Sequence, residues 1–167
     1  ITIPSEEDRL EMFPLDYEEF RWAMGDMATI PLLRQTLEKR ISLGDDINRL
    51  QTLYDEGIRL ITLTWNHENC IGYPNSKDEA IMQKGLKPFG IEVVEKMNEL
   101  GMLIDVSHLS DGGFWDVLKH SKKPVVASHS NARSLCEHPR NLSDEMIKVL
   151  ADRGGIAGIN LYPYFIK

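Results

Sequence analysis

The 167-residue chain reads as an α/β protein of the (β/α) barrel type, incomplete, behind a helical or irregular segment over residues 1–44. Three observations predict this. From residue 45 onward, short apolar runs alternate with amphipathic stretches, a pattern that calls for parallel strands joined by crossovers. Polar residues follow each of four runs: Asn66 and His67, then His108, then His129, then Asn160 and Tyr162. Functional groups drawn from several strand ends are barrel behaviour, and no G-x-G-x-x-G or P-loop pattern is present to favour a nucleotide-binding sheet. A whole barrel takes about 250 residues. Only four good strands can be placed, so the 45–167 portion reads as part of one.

In chain order, Pro4, Pro14 and Pro31 cut the first 44 residues into short pieces, one acidic around Leu10 and Phe13 and one with Tyr17, Phe20 and Met24 at helical spacing. Asp45 and Asp46 are placed to cap a helix through Ile47, Leu50, Leu53 and Tyr54 that stops at Gly57. A β-branched run over 58–64 predicts a strand. The stretch from Asn69 to Pro88, with glycines, Pro74 and acidic residues, reads as a long binding loop. Val93, Val94, Met97 and Leu100 mark one face of a second helix, and Gly101 ends it. A strand at Met102, a helix from Phe114 to Ser121 and a strand at Val125 follow. Leu142-Ser143 opens another helix that stops at Gly154-Gly155, and 156–161 reads as a fourth strand.

Two of these runs carry the chemistry. His108 and His129 each close an apolar strand, twenty-one residues apart with a helix between them. Both imidazoles would leave the C-terminal edge of a parallel sheet and face one crevice, where α/β folds bind ligands. Either alone reads equally well as a buried structural histidine; the pair suits a metal ion.

Composition sets outer limits. A net charge of −7, without a basic stripe, argues against nucleic acid and anionic membrane as partners. Cys70 and Cys136 offer no disulfide framework, which favours a reducing, cytoplasmic setting. No stretch approaches the roughly 20 apolar residues of a membrane span, and the start lacks the basic and apolar regions of a signal peptide.

From about Gly44 to Ile166 the chain resembles the membrane dipeptidase, or renal dipeptidase, family of metallopeptidases in its bacterial form. The matching stretches are Gly57-Ile-Arg-Leu-Ile-Thr-Leu-Thr-Trp-Asn-His-Glu-Asn69, Leu86-Lys-Pro-Phe-Gly90, Glu99-Leu-Gly-Met-Leu-Ile-Asp-Val-Ser-His-Leu-Ser110, Ala127-Ser-His-Ser-Asn-Ala-Arg133 and Cys136-Glu-His-Pro-Arg-Asn-Leu142. The resemblance implies a metal-dependent hydrolase fold, a (β/α) barrel with two zinc ions, and cleavage of dipeptides with broad side-chain tolerance; some members also hydrolyse β-lactams. It implies that His108 and His129 bind one zinc and that Arg140 holds the substrate carboxylate, a task suited to a planar fork of donors. Trp65 stands where the family has a substrate-facing histidine, which makes His67, two residues on, a displaced candidate. His120 and His138 read instead as a helix-end residue and a loop residue.

The departures are equally specific. The family's first-strand His-x-Asp occurs nowhere in this sequence. Its metal-bridging glutamate sits in a Thr-Ile-Glu-Gly-Gly-like stretch, which aligns Glu38 as a metal and catalytic candidate beside Lys39 and Arg40 in place of the glycines. These departures predict a zinc-dependent dipeptidase whose isolated chain is a poor catalyst. Two alternatives stand beside it: another metal-dependent amidohydrolase acting on a small amide, and a non-catalytic remnant folded through its N-terminal helices or by self-association as a homo-oligomer across open sheet edges.

Overall fold

In the computed structural model, residues 46–166 are described, and they fall within a compact unit over Leu43–Lys167. Their elements run α1 (Arg49–Asp55), β1 (Leu60–Thr62), α2 (Glu79–Met82), α3 (Pro88–Leu100), β2 (Leu103–Asp105), α4 (Asp111–His120), β3 (Val126–Ala127), α5 (Asp144–Asp152), β4 (Ile156–Ala157) and a 3₁₀ turn (Pro163–Phe165). The four strands form one sheet in the order β1-β2-β3-β4, every pair parallel. Space therefore repeats sequence, without the reversal of strand order that marks a doubly wound sheet. Register pairs Ile61 with Ile104, Thr62 with Asp105, Asp105 with Val126, and Val126 with Ile156.

The helices form where their ends are satisfied. The Ser110 hydroxyl accepts from the Gly113 amide at 3.2 Å to open α4, and Ser143 does the same for Met146 at 3.2 Å to open α5. Pro88 begins α3, where its missing N–H costs nothing, and Gly101 ends it at φ 72°, a left-handed conformation that a side chain would resist. The inner faces of α3 and α4 bury Val93, Val94, Met97, Phe114, Val117 and Leu118 against Ile61, Ile104 and Val106 of the sheet. This apolar layer fixes the strand ends that carry the polar residues.

Several expectations need correction. The first helix begins at Arg49 with no side-chain cap, because the Asp46 carboxylate instead accepts from the Asn48 amide and side chain, both at 3.0 Å; Asp45 lies outside the described residues. The 69–88 loop contains α2, capped by Asp78 accepting from the Ala80 amide at 2.9 Å. Only Ile156 and Ala157 of the fourth run pair as strand, and both are exposed. The polar groups of Asn131 explain the early end: its side chain bonds both the carbonyl and the amide of Asn160, pulling that backbone away from the ladder.

Candidate functional site

The site lies beyond the C-terminal ends of β2 and β3. His108 is reached through a tight turn after β2, and among the described residues it is the one non-glycine with positive φ, at 69°. An L-residue held there costs about 1–2 kcal/mol, and such strain persists only where the surroundings impose it. Here the long 69–88 loop does so. Asn75 donates its amide to the His108 carbonyl at 2.8 Å, Ser110 donates to the Tyr73 carbonyl at 3.0 Å, and Leu109 bridges to Pro74.

His129 follows β3, and its ring meets that of His108 with the two Nε2 atoms 3.0 Å apart and the ring centroids 5.0 Å apart. Burial lowers the pKa of both rings, reinforced in both by the Arg140 charge and partly offset by Asp105; His108, which also faces His129, is taken down to about 3. Both imidazoles are thus neutral near pH 7, the form that ligates metals. Two imidazole nitrogens on one tetrahedral zinc at about 2.0–2.1 Å would stand roughly 3.3 Å apart, so the observed spacing needs a few tenths of an ångström of opening. The pair fits one zinc as two of its ligands. No group of three or more His, Cys, Asp or Glu able to hold a metal occurs among the described residues.

Beneath the histidines sits Asp105, fully buried at the end of β2. Its Oδ1 accepts from the amides of Ser107 and Ser128, each at 2.9 Å, and its Oδ2 accepts from the hydroxyls of Thr62 at 2.8 Å and Ser128 at 2.5 Å. Burial alone would raise its pKa, but the Ser128 hydroxyl and amide, the Ser107 amide and Thr62 together outweigh burial and hold it below the ordinary carboxylate value. It is a buried anion that ties β1, β2 and β3 together at the level of the site.

Arg140 is 5% exposed and lines the same pocket as His108, together with Ser130, Arg133 and Pro139. Its Nη1 donates to the Ser130 hydroxyl at 3.1 Å and its Nη2 to the His129 carbonyl at 2.8 Å, while its own amide donates to His138 Nδ1 at 3.1 Å. Of the five N–H donors a guanidinium carries, the rest stay uncommitted within the described residues, and Nε is buried without a partner. Burial lowers its pKa to about 10, against a smaller opposing pull from Asp105. It remains a cation at neutral pH.

The remaining sequence candidates stand apart. His67 is exposed in the loop after β1 and is not among the residues lining this pocket. Glu38 lies outside the described residues. His120 ends α4 with Nδ1 4.0 Å from the Glu95 carboxylate, while His138, read as a plain loop residue, anchors the turn that presents Arg140. Asp105, Ser128 and Ser130 were missed as site residues. The only signal for them was the doubled pattern of Asp105-Val-Ser-His108 and Ala127-Ser-His-Ser130, small polar residues flanking each histidine.

Residues 26–167 match the family model described as membrane dipeptidase, peptidase family M19. The chain belongs to that family. It is 40% identical over 124 residues to an uncharacterized Klebsiella pneumoniae protein from the pqqA 5′ region, covering 71% of this chain and 45% of the relative. It is also 40% identical over 119 residues to an uncharacterized dipeptidase of Schizosaccharomyces pombe, covering 71% of this chain and 29% of that protein. Among solved structures, the probable dipeptidase PvdM from Pseudomonas aeruginosa superposes with a TM-score of 0.69 at 32% identity, over 75% of this chain and 32% of that one. A metallopeptidase from Rhodobacter sphaeroides, liganded with a phosphinate mimic of the dipeptide L-Ala-D-Ala, gives 0.67 at 28% identity, over 74% and 36%. The chain spans less than half the length of these relatives. No described helix is long and apolar enough to cross a membrane.

Proposed function

We propose that this M19 chain carries the two-histidine zinc site and the carboxylate clamp of a dipeptidase that hydrolyses the peptide bond of unblocked dipeptides. The observation that carries this reading is Arg140, a buried cation with no carboxylate partner among the described residues, in the same pocket as His108. A buried unpaired guanidinium is costly unless an anion meets it, and a dipeptide's free C-terminal carboxylate supplies one. A small neutral amide would leave it unmet, which sets the dipeptide above the other amidohydrolase substrates.

His108 and His129 would hold the zinc through Nε2. When bound, zinc supplies a water acidic enough to attack at neutral pH and a Lewis acid for the peptide carbonyl. Arg140 fixes the substrate's far end, Ser130 and the His129 carbonyl fix Arg140, and Asp105 fixes the strand ends. The family's first-strand His-x-Asp does not occur in this sequence, and that departure supports poor turnover by the isolated chain.

The test is calorimetric binding of a simple dipeptide and its C-terminal amide to the zinc-loaded chain. The free acid should bind better, and Arg140→Lys should weaken the acid by about 10- to 100-fold, as expected for a charged bidentate contact, while leaving the amide nearly unchanged. Equal losses for both ligands would overturn the assignment. Rapid dipeptide turnover with two zincs per chain would overturn the expectation of a poor catalyst.

A further inference from the structure

His129 and His108 meet through their Nε2 atoms, but their outer nitrogens differ. His108 Nδ1 is buried without a hydrogen bond among the described residues, whereas His129 Nδ1 lies 2.7 Å from the Ser128 hydroxyl. That hydroxyl has one hydrogen to give. It lies 2.5 Å from Asp105 Oδ2, and a carboxylate oxygen can only accept, so the hydrogen goes to Asp105. The Ser128 oxygen is then left as an acceptor toward His129, with the Ser107 hydroxyl 3.4 Å away as its other neighbour. Ser107 in turn accepts from the His129 amide at 3.1 Å, holding the backbone of the same residue. Ser128 is itself exposed, so the direction of its hydroxyl is set by the carboxylate and not by enclosure.

We propose that Asp105 and Ser128 are positioning residues that fix the tautomer of His129: Asp105 accepts the hydrogen bond of the Ser128 hydroxyl, Ser128 accepts a hydrogen bond from His129 Nδ1–H, and the Nε2 lone pair is thereby aimed at His108. No proton is transferred; the chain of bonds only orders donors and acceptors. Its consequence for zinc rests on the reading of His129 as a ligand. A carboxylate commonly orients a metal-bound imidazole directly, and here a serine is interposed, so the polarity of one buried side chain decides whether His129 can ligate through Nε2. The geometry predicts that Asp105→Asn, which keeps the shape, reverses the chain. The amide oxygen would keep the Ser107 and Ser128 amides, and the amide nitrogen would donate to the Thr62 and Ser128 hydroxyls. Ser128 would then donate to Nδ1 and force the hydrogen onto Nε2.

The experiment is long-range ¹H–¹⁵N correlation NMR of the ¹⁵N-labelled, metal-free full chain near pH 7.5, with zinc affinity measured in parallel by chelator competition. His129 should show a protonated Nδ1 and an unprotonated Nε2. Asp105→Asn should exchange the two, Ser128→Ala should lose the Nδ1–H preference, and Ser128→Thr, which keeps the hydroxyl, should restore it. Zinc affinity should fall about 10- to 100-fold in Ser128→Ala and stay near the parent value in Ser128→Thr. If Asp105→Asn does not fold, Ser128→Ala decides alone. A protonated Nε2 in the parent chain, or an unchanged His129 pattern in Ser128→Ala, would overturn the relay. The expected tautomers without any zinc retention by the parent chain would overturn the metal reading of His129 and leave the relay standing.

Discussion

β2 and β4 belong to the same parallel sheet and carry the same kind of residue, yet Ile104 is 1% exposed and Ile156 is 70% exposed. The difference lies in what covers them. β2 is flanked by β1 and β3 and lies under the apolar faces of α3 and α4, whereas β4 pairs with β3 alone among the described strands. Beyond it Ile159, Leu161, Tyr162 and Tyr164 are also exposed. The comparison teaches where the site can be rigid. Asp105, His108 and His129 grow from the covered strands β2 and β3, and the uncovered strand contributes no residue to the pocket.

Substitutions can sharpen or break that contrast. Phe114→Ala in the covered half should cost about 3–5 kcal/mol, read from denaturant unfolding. Gly90→Ala should cost about 1–3 kcal/mol, because a methyl group there would sit 2.1 Å from the Ile71 carbonyl oxygen on the face α3 turns to its neighbour. Ser143→Ala should cost about 1 kcal/mol through loss of the α5 cap. Ile156→Thr should change stability by no more than about 0.5 kcal/mol, and amide exchange in β4 should be fast beside that in β2. An Ile156→Thr cost comparable with that of Phe114→Ala would mean that β4 is covered in solution and that the two halves are alike.

Much of this architecture is legible in the residues. Runs such as Met102–Val106 and the spacing of Val93, Val94 and Met97 announce strand and helix because burial on both faces, or on one stripe, leaves a periodic trace. His108 and His129 are legible as a pair because each ends such a run. Less visible are features that depend on contacts distant in sequence. Asp105 reads as one more polar residue until strand pairing brings Thr62 and Ser128 around it, forty-three and twenty-three positions away. The positive φ of His108 follows from Tyr73 and Asn75, far upstream in the sequence, gripping the turn, and nothing local in Val-Ser-His-Leu requires it. The fourth strand is shorter than its run suggests because a mostly apolar stretch such as Ile156-Ala-Gly-Ile-Asn-Leu161 looks the same whether or not a neighbour is there to pair with it.

The central claim is that His108 and His129 act as one metal-binding pair, and zinc K-edge X-ray absorption of the full chain with one equivalent of zinc tests it most directly. The account predicts two imidazole ligands at about 2.0–2.1 Å in the parent chain and one after His129→Ala. A zinc shell without imidazole scattering, or one left unchanged by His129→Ala, would contradict it.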